Sequence, residues 1–121
     1  MKKTIYLDNA ATTKTRPEVV EAMFPYFTEF YGNPSSIYSF SDEPKKAVAA
    51  GREAIAKSIG AKTNELYFTG GGSESDNWAL KATAEAYKSK GNHIITSKIE
   101  HHAILHTCEW LENHGFEVSY I

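Results

Sequence analysis

The sequence predicts an α/β fold, in the form of an incomplete three-layer αβα arrangement with a mainly parallel sheet. Two features predict it: strand-like and helix-like segments alternate from residue 65 onward, and single glycines, not changes in composition, separate them. Such alternation is typical of parallel strands joined by helical crossovers, in which ligands bind at the carboxyl ends of the strands. We therefore expect any binding site to lie on that edge of the sheet.

The first part of the sequence predicts helices. Residues 1–15 have the small, polar composition of an ordered arm, and residues 16–121 form the rest of the predicted fold. Pro17 is typical of a helix start, and Pro25 should interrupt the helix that follows. A longer helix is predicted from Ser41–Asp42 to Gly60. Its apolar stripe consists of Val48, Ile55 and Ile59.

The second part predicts three strands and two helices. The strands are expected at residues 65–69, 93–97 and 116–120, and the helices at residues 73–90 and 102–114. Gly91 and Gly115 mark the helix ends. The inward face of the second helix is predicted to carry Ile104, Leu105, Cys108 and Leu111.

Composition limits the class of protein. The 121 residues are 41% hydrophobic and 12% aromatic, which suffices for a core of one domain. The net charge of −2 and the interleaved acids give no basis for binding nucleic acid or a membrane surface. No apolar run approaches the length of a membrane span, and we expect a cytoplasmic protein. The single cysteine cannot form an internal disulfide, which agrees with a reducing compartment.

A glycine loop, FTGGGSESDN at residues 68–77, is the main candidate site. Glycines allow a close approach to an anion, and a helix that opens at Ser73 would direct its free N–H groups toward a phosphate. A second interpretation needs no ligand, because Ser73 and Asp76 can form a capping box. The loop lacks the lysine of a P-loop, so it favours a phosphate more than a nucleotide.

A histidine cluster offers a competing hypothesis. Glu100, His101, His102 and His106 lie close together in the sequence, and His102 and His106 are one helical turn apart. Zinc normally takes four ligands in structural sites, and the sequence offers no clear third ligand, so we predict no metal. His101 follows a strand and opens a helix, which favours a role at the site. Cys108 on the apolar stripe is predicted to be a buried, inert thiol.

Five segments together resemble the amino-terminal portion of a cysteine desulfurase. They are YLDNAATT at 6–13, GNPSS at 32–36, the glycine loop, HIITSKIEHHAIL at 93–105 and FEVSYI at 116–121. The resemblance implies the large domain of a fold-type I, class V enzyme that uses pyridoxal 5'-phosphate. It also implies a homodimer that converts L-cysteine to L-alanine and an enzyme-bound persulfide for iron–sulfur cluster assembly.

The resemblance implies roles for individual residues. Gly72 and Ser73 match positions that contact the cofactor phosphate, and His101 matches a catalytic histidine that stacks on the cofactor ring. An iron–sulfur scaffold protein is the implied sulfur acceptor, with an indirect link to tRNA-thiolation proteins. A segment near the substrate is matched by Asn9, Ala10, Ala11 and Thr12.

Three catalytic parts of the family have no match in these residues. The Schiff-base lysine, the aspartate that pairs with the pyridine nitrogen and the mobile-loop cysteine belong to later sequence in the family, so we expect the chain to be inactive alone. A related class V aminotransferase or selenocysteine lyase stays open as an alternative. A further alternative is a non-catalytic module that binds a phosphate ligand or a partner protein.

Overall fold

The computed structural model describes residues 5–121, which divide between Leu66 and Tyr67 into two compact units. The first is called the amino-terminal unit and the second, Tyr67–Ile121, the carboxyl-terminal unit. The predicted α/β class is confirmed, because the second unit combines helices with a small parallel sheet. In the described part of the chain, no helix combines the length and the apolar character needed to cross a membrane.

The amino-terminal unit is helical throughout its regular structure. Pro17 and Pro25 occupy the first positions of two successive helices, where a missing N–H costs nothing. The predicted interruption at Pro25 is therefore confirmed. The elements are α1 (Pro17–Met23), α2 (Pro25–Thr28), a 3-10 turn (Ser39–Ser41), α3 (Asp42–Ser58) and a second 3-10 turn (Thr63–Glu65).

Helix α3 begins and ends as the sequence predicts. Acidic residues occupy its first turn, and Gly60 follows its end with a φ of +69°, a conformation that favours glycine. Its apolar stripe does not form a core, since Val48, Ile55 and Ile59 keep 43%, 44% and 66% of their surface exposed. The buried residues of α3 are Pro44 and Ala56.

The carboxyl-terminal unit contains two helices and two strands, in the order that the sequence predicts for residues 73–120. Its elements are α4 (Gly72–Tyr87), β1 (His93–Thr96), α5 (His102–Glu112) and β2 (Glu117–Tyr120). The two strands pair in parallel, from His93 opposite Glu117 to Thr96 opposite Tyr120. Helix α5 packs against both α4 and β2. The carboxyl ends of both strands therefore lie at one edge.

The strand predicted at residues 65–69 is wrong. Glu65 ends a 3-10 turn, and residues 66–69 are not assigned to any strand. The sheet of the described residues contains only β1 and β2. Apolar, β-favouring residues can extend the backbone, but a strand also needs a neighbour to complete its hydrogen bonds.

The core of the carboxyl-terminal unit lies beneath α5. Leu111 and Cys108 are fully buried, and Phe116 is 5% exposed. The buried hydroxyl of Thr107 donates to the carbonyl of Ala103 at 2.7 Å, so its burial leaves no polar group unpaired. Of the predicted inward face of α5, Cys108 and Leu111 are buried, whereas Ile104 and Leu105 are half-buried. Gly115, with a φ of +89°, terminates the helix.

Candidate phosphate-binding site

Helix α4 begins at Gly72, one residue before the predicted start. Gly71 is the residue before the first turn, and no side chain caps it. The predicted capping box of Ser73 and Asp76 is wrong, because Ser73 already lies inside the first turn. The nearby acid that reaches back is Glu74, whose Oε2 accepts a hydrogen bond from the Gly70 amide at 2.5 Å.

Two hydroxyls tie the loop to the helix. The Thr69 hydroxyl donates to the carbonyl of Gly71 at 3.1 Å and lies 2.7 Å from the Ser75 hydroxyl. On the next turn, the Asn77 amide donates to the carbonyl of Ser73 at 2.9 Å. The backbone around the glycines is therefore fixed by side chains on both sides of it.

The first turn of α4 leaves backbone donors free. In the part of the chain that the structure describes, the amides of Gly72, Ser73 and Glu74 have no hydrogen-bond acceptor, and the helical ladder starts with Ser75 N–H to Gly71 C=O at 3.2 Å. A Cβ added to Gly71 or Gly72 would meet no atom within 4 Å. Free donors beside open space, at the positive end of a helix dipole, suit an anion.

His101 caps the other helix of the site. Its Nδ1 accepts a hydrogen bond from the Ala103 amide at 3.1 Å, and the ring is exposed. A backbone N–H can only donate, so Nδ1 carries no proton and the ring proton resides on Nε2. His101 therefore presents a donor to any ligand beside it, and helix capping accounts for its orientation.

Helices α4 and α5 run in the same direction. The Lys81 ammonium lies 4.4 Å from the centre of the Trp110 ring, and the Lys88 ammonium lies 5.1 Å from the centre of the Phe116 ring. Lys81 lies in α4 and Lys88 directly follows its last residue, while Trp110 lies in α5 and Phe116 follows that helix. Two contacts in the same order require parallel helices.

This alignment brings the loop and the histidine to one end of the unit. Lys81 lies nine residues after Gly72, and Trp110 lies nine residues after His101. Nine residues of helix span about 14 Å in each case. Since Lys81 contacts Trp110 and the helices run in the same direction, Gly72 and His101 both lie at the amino-terminal end of this helix pair.

The remaining histidines of the cluster do not assemble a metal site. The rings of His102 and His106 stack at 5.6 Å, and His106 Nδ1 lies 3.5 Å from a carboxylate oxygen of Glu109. Among residues 5–121, no three His, Cys, Asp or Glu side chains come together in a way that could hold a metal ion.

The single thiol is buried, as predicted. Cys108 is fully buried on α5, and burial, followed by the nearby negative charge of Glu112, raises its pKa above the ordinary value. A raised pKa lowers the fraction of reactive thiolate at neutral pH.

The arm residues form an exposed turn in the amino-terminal unit. The Ala11 amide donates to the carbonyl of Asp8 at 3.1 Å, and residues 9–12 are all exposed. Their role near a substrate stays a prediction. Sequence reasoning included Thr69, Glu74 and Ser75 in the glycine loop but assigned them no role. Placing the helix start at Gly72 would have revealed the role of Glu74, because acids in the first turn often reach back to the preceding backbone.

Comparisons with known proteins agree with this architecture. The profile of the family described as "Aminotransferase class-V" matches residues 5–121. The cysteine desulfurase IscS of Clostridium botulinum (strain Kyoto / Type A2) is 62% identical over 100% of this chain and 30% of its own length. The chain therefore spans about a third of the curated relatives that it matches.

Two solved structures are also similar. A protein described as NifS-like has a TM-score of 0.90 and 39% identity, over 97% of this chain and 32% of its own. A structure described as SspA in complex with cysteine has a TM-score of 0.88 and 40% identity, over 98% of this chain and 34% of its own.

Proposed function

The chain belongs to the aminotransferase class-V family, and we propose that it forms the phosphate-binding and histidine-bearing portion of a pyridoxal-phosphate-dependent cysteine desulfurase. The proposed reaction converts L-cysteine to L-alanine and leaves the sulfur as an enzyme-bound persulfide. The name of the 62%-identical relative and the cysteine in the SspA structure support this choice. The observation that carries it is the open set of donors at the start of α4, at the same end of the helix pair as His101.

The residues at the start of α4 fit the phosphate of this cofactor. Three free amides and the unbonded Ser73 hydroxyl can donate to its oxygens, and the absence of side chains at Gly71 and Gly72 leaves room for a close approach. We assign the phosphate contacts to Gly72 and Ser73. A dianionic group at this position would also gain from the helix dipole.

His101 has the geometry for a ring contact and a proton transfer. When bound, pyridoxal phosphate supplies an electron sink for breaking bonds to the amino-acid substrate. We propose that His101 lies against the cofactor ring as a flat, neutral imidazole. Because Ala103 occupies Nδ1, any proton that His101 gives or takes passes through Nε2.

Other features of the proposal follow the family. We propose a cytoplasmic homodimer that passes sulfur to an iron–sulfur scaffold protein, with residues 1–15 as an arm and residues 16–121 as part of the large domain. The exposed turn at residues 9–12 would approach the substrate. The Schiff-base lysine and the sulfur-accepting cysteine would come from later sequence in the family.

A chimera tests the activity. These 121 residues would replace the matching third of the Clostridium botulinum relative, and alanine formation from cysteine would be measured. We expect activity, with His101→Ala about 10²- to 10⁴-fold slower, the usual contribution of an acid–base group. His106→Ala, which alters a neighbouring exposed ring on the same helix, is the control.

Two outcomes would contradict the proposal. A chimera that forms no alanine although the unaltered relative does would exclude the desulfurase assignment for this segment. A chimera in which His101→Ala and His106→Ala are equally active would remove the role of His101. A strong preference for selenocysteine over cysteine would instead favour a selenocysteine lyase.

A further inference from the structure

We propose that Glu74 is a positioning residue, which holds the glycine loop in the form that receives the phosphate. This inference rests on the function proposed above. The Glu74 carboxylate reaches back from the first turn of α4 and accepts the amide proton of Gly70. It thereby joins the segment before the helix to the helix itself.

The residue at position 70 lies directly beside the Glu74 carboxylate, which is the end of a flexible side chain. A Cβ on Gly70 would lie 3.0 Å from the Glu74 carboxylate oxygen, whereas a Cβ on Gly71 or Gly72 would meet nothing within 4 Å. Gly70 therefore leaves room for the carboxylate, while the next two glycines leave room for a ligand. The three adjacent glycines serve two different purposes.

The hydroxyl protons of the loop can be assigned one by one. Thr69 has a single hydroxyl proton, which it donates to the carbonyl of Gly71. In the 2.7 Å contact between Thr69 and Ser75, the proton must then come from Ser75. Both protons are used within the loop. Ser73 has no side-chain hydrogen bond in the described structure, so its proton stays available.

The amide protons of the loop also fall into two groups, those bonded within the loop and those available to a ligand. Gly70 N–H is bonded to Glu74, whereas the N–H groups of Gly72, Ser73 and Glu74 itself are free. Glu74 therefore binds the amide that precedes the helix, whereas the amides of the first turn are free because the helix offers them no acceptor. Loss of the Glu74 carboxylate would release the Gly70 amide and let the loop leave this arrangement, so that binding would have to order it again.

The charge and the geometry of Glu74 have opposite effects on phosphate binding. The carboxylate orders the loop, but its negative charge lies close to the position of a phosphate, which it repels. Glutamine keeps an oxygen that can accept the Gly70 proton and removes the charge. Alanine removes both. The two substitutions therefore separate the positioning role from the electrostatic cost.

The test uses the 121-residue chain and amide NMR. Two quantities would be measured in wild type, Glu74→Ala and Glu74→Gln. The first is the rate at which the Gly70 amide exchanges with solvent. The second is the Kd for pyridoxal phosphate, obtained from the amide chemical shifts of Gly72 and Ser73. We expect Glu74→Ala to speed Gly70 exchange and to weaken binding roughly tenfold, the effect of about one hydrogen bond. Glu74→Gln should restore slow exchange and bind at least as tightly as wild type. Glu85→Ala, which removes another carboxylate from α4, should match wild type.

The outcomes separate this inference from the function on which it rests. Unchanged Gly70 exchange in Glu74→Ala, or faster exchange with unchanged Kd, would overturn the positioning role. Equal weakening by Glu74→Gln and Glu74→Ala would also overturn it, since the amide oxygen should suffice. If the wild-type chain binds pyridoxal phosphate no better than pyridoxal, the proposed phosphate site itself is wrong, and this inference is wrong with it.

Discussion

The two units differ in burial although both are rich in helix. In the carboxyl-terminal unit, α5 lies against α4 and β2 and buries Leu111 completely. In the amino-terminal unit, the longest helix keeps its apolar stripe at least 43% exposed. Apolar periodicity is thus sufficient to predict a helix, but only a second layer of structure converts that periodicity into a core.

The largest expected effect comes from removing a core side chain. Leu111→Ala should lower the free energy of unfolding by about 2–5 kcal/mol, because it leaves a cavity in a fully packed site. Ile55→Ala, in the exposed stripe of α3, should cost less than about 1.5 kcal/mol. Urea denaturation followed by circular dichroism measures both. Equal costs would remove the contrast between the units.

Replacing a helix-ending glycine should have an intermediate effect on stability, and this effect should be equal in the two units. Gly60 and Gly115 each end a helix with φ in the left-handed region. Alanine at either position should cost about 1–2 kcal/mol, since a Cβ is unfavourable there wherever the helix lies. Thermal unfolding would measure the loss, with Gly91→Ala as the control because its φ is ordinary and a Cβ there meets nothing within 4 Å. A cost at Gly115 alone would show that packing, not backbone strain, sets it.

The smallest expected effect is a pH dependence confined to the carboxyl-terminal unit. Burial is the largest cause that raises the pKa of Cys108 above its ordinary value, so the folded protein holds the thiol proton to higher pH than the unfolded chain does. The unfolding free energy should therefore be unaffected by this group at low pH and fall as pH rises from the ordinary value through the raised one.

Cys108→Ala tests that slope. Stability would be measured by urea denaturation from about pH 8 to about pH 10, the range where a thiol begins to ionise. The alkaline decline should be shallower in Cys108→Ala than in wild type. A steeper decline in the variant would mean that the thiolate is stabilised in the folded state, which contradicts the burial of this group.

The sequence predicted those parts of the fold that depend on local signals. Prolines and glycines mark the helix ends, and period-3.6 patterns identify α3, α4 and α5. The strand at 65–69 failed because a strand depends on a neighbour that the local pattern does not contain. The exposure of Ile55 was beyond prediction for the same reason, since burial depends on what packs above a residue.

In the candidate site, too, the sequence predicted the local features and not those that depend on contacts between segments. The glycines and Ser73 were visible in the sequence, and so was the position of His101 after a strand. The bond from Gly70 to Glu74 required the correct helix start, which the sequence misplaced by one residue. The position of Gly72 and His101 at one end of the helix pair required contacts between two helices, which no single segment encodes.

The parallel register of β1 and β2 has a consequence for the speed of folding. Each of the four residue pairs, from His93 with Glu117 to Thr96 with Tyr120, joins positions 24 residues apart. The chain entropy lost on closing a loop grows only slowly with its length, and a single closure through α5 brings all four pairs into register. Parallel pairing across 24 residues is nevertheless slower to form than the local contacts of a helix, so we expect α5 to fold first and the two strands to pair across it afterwards.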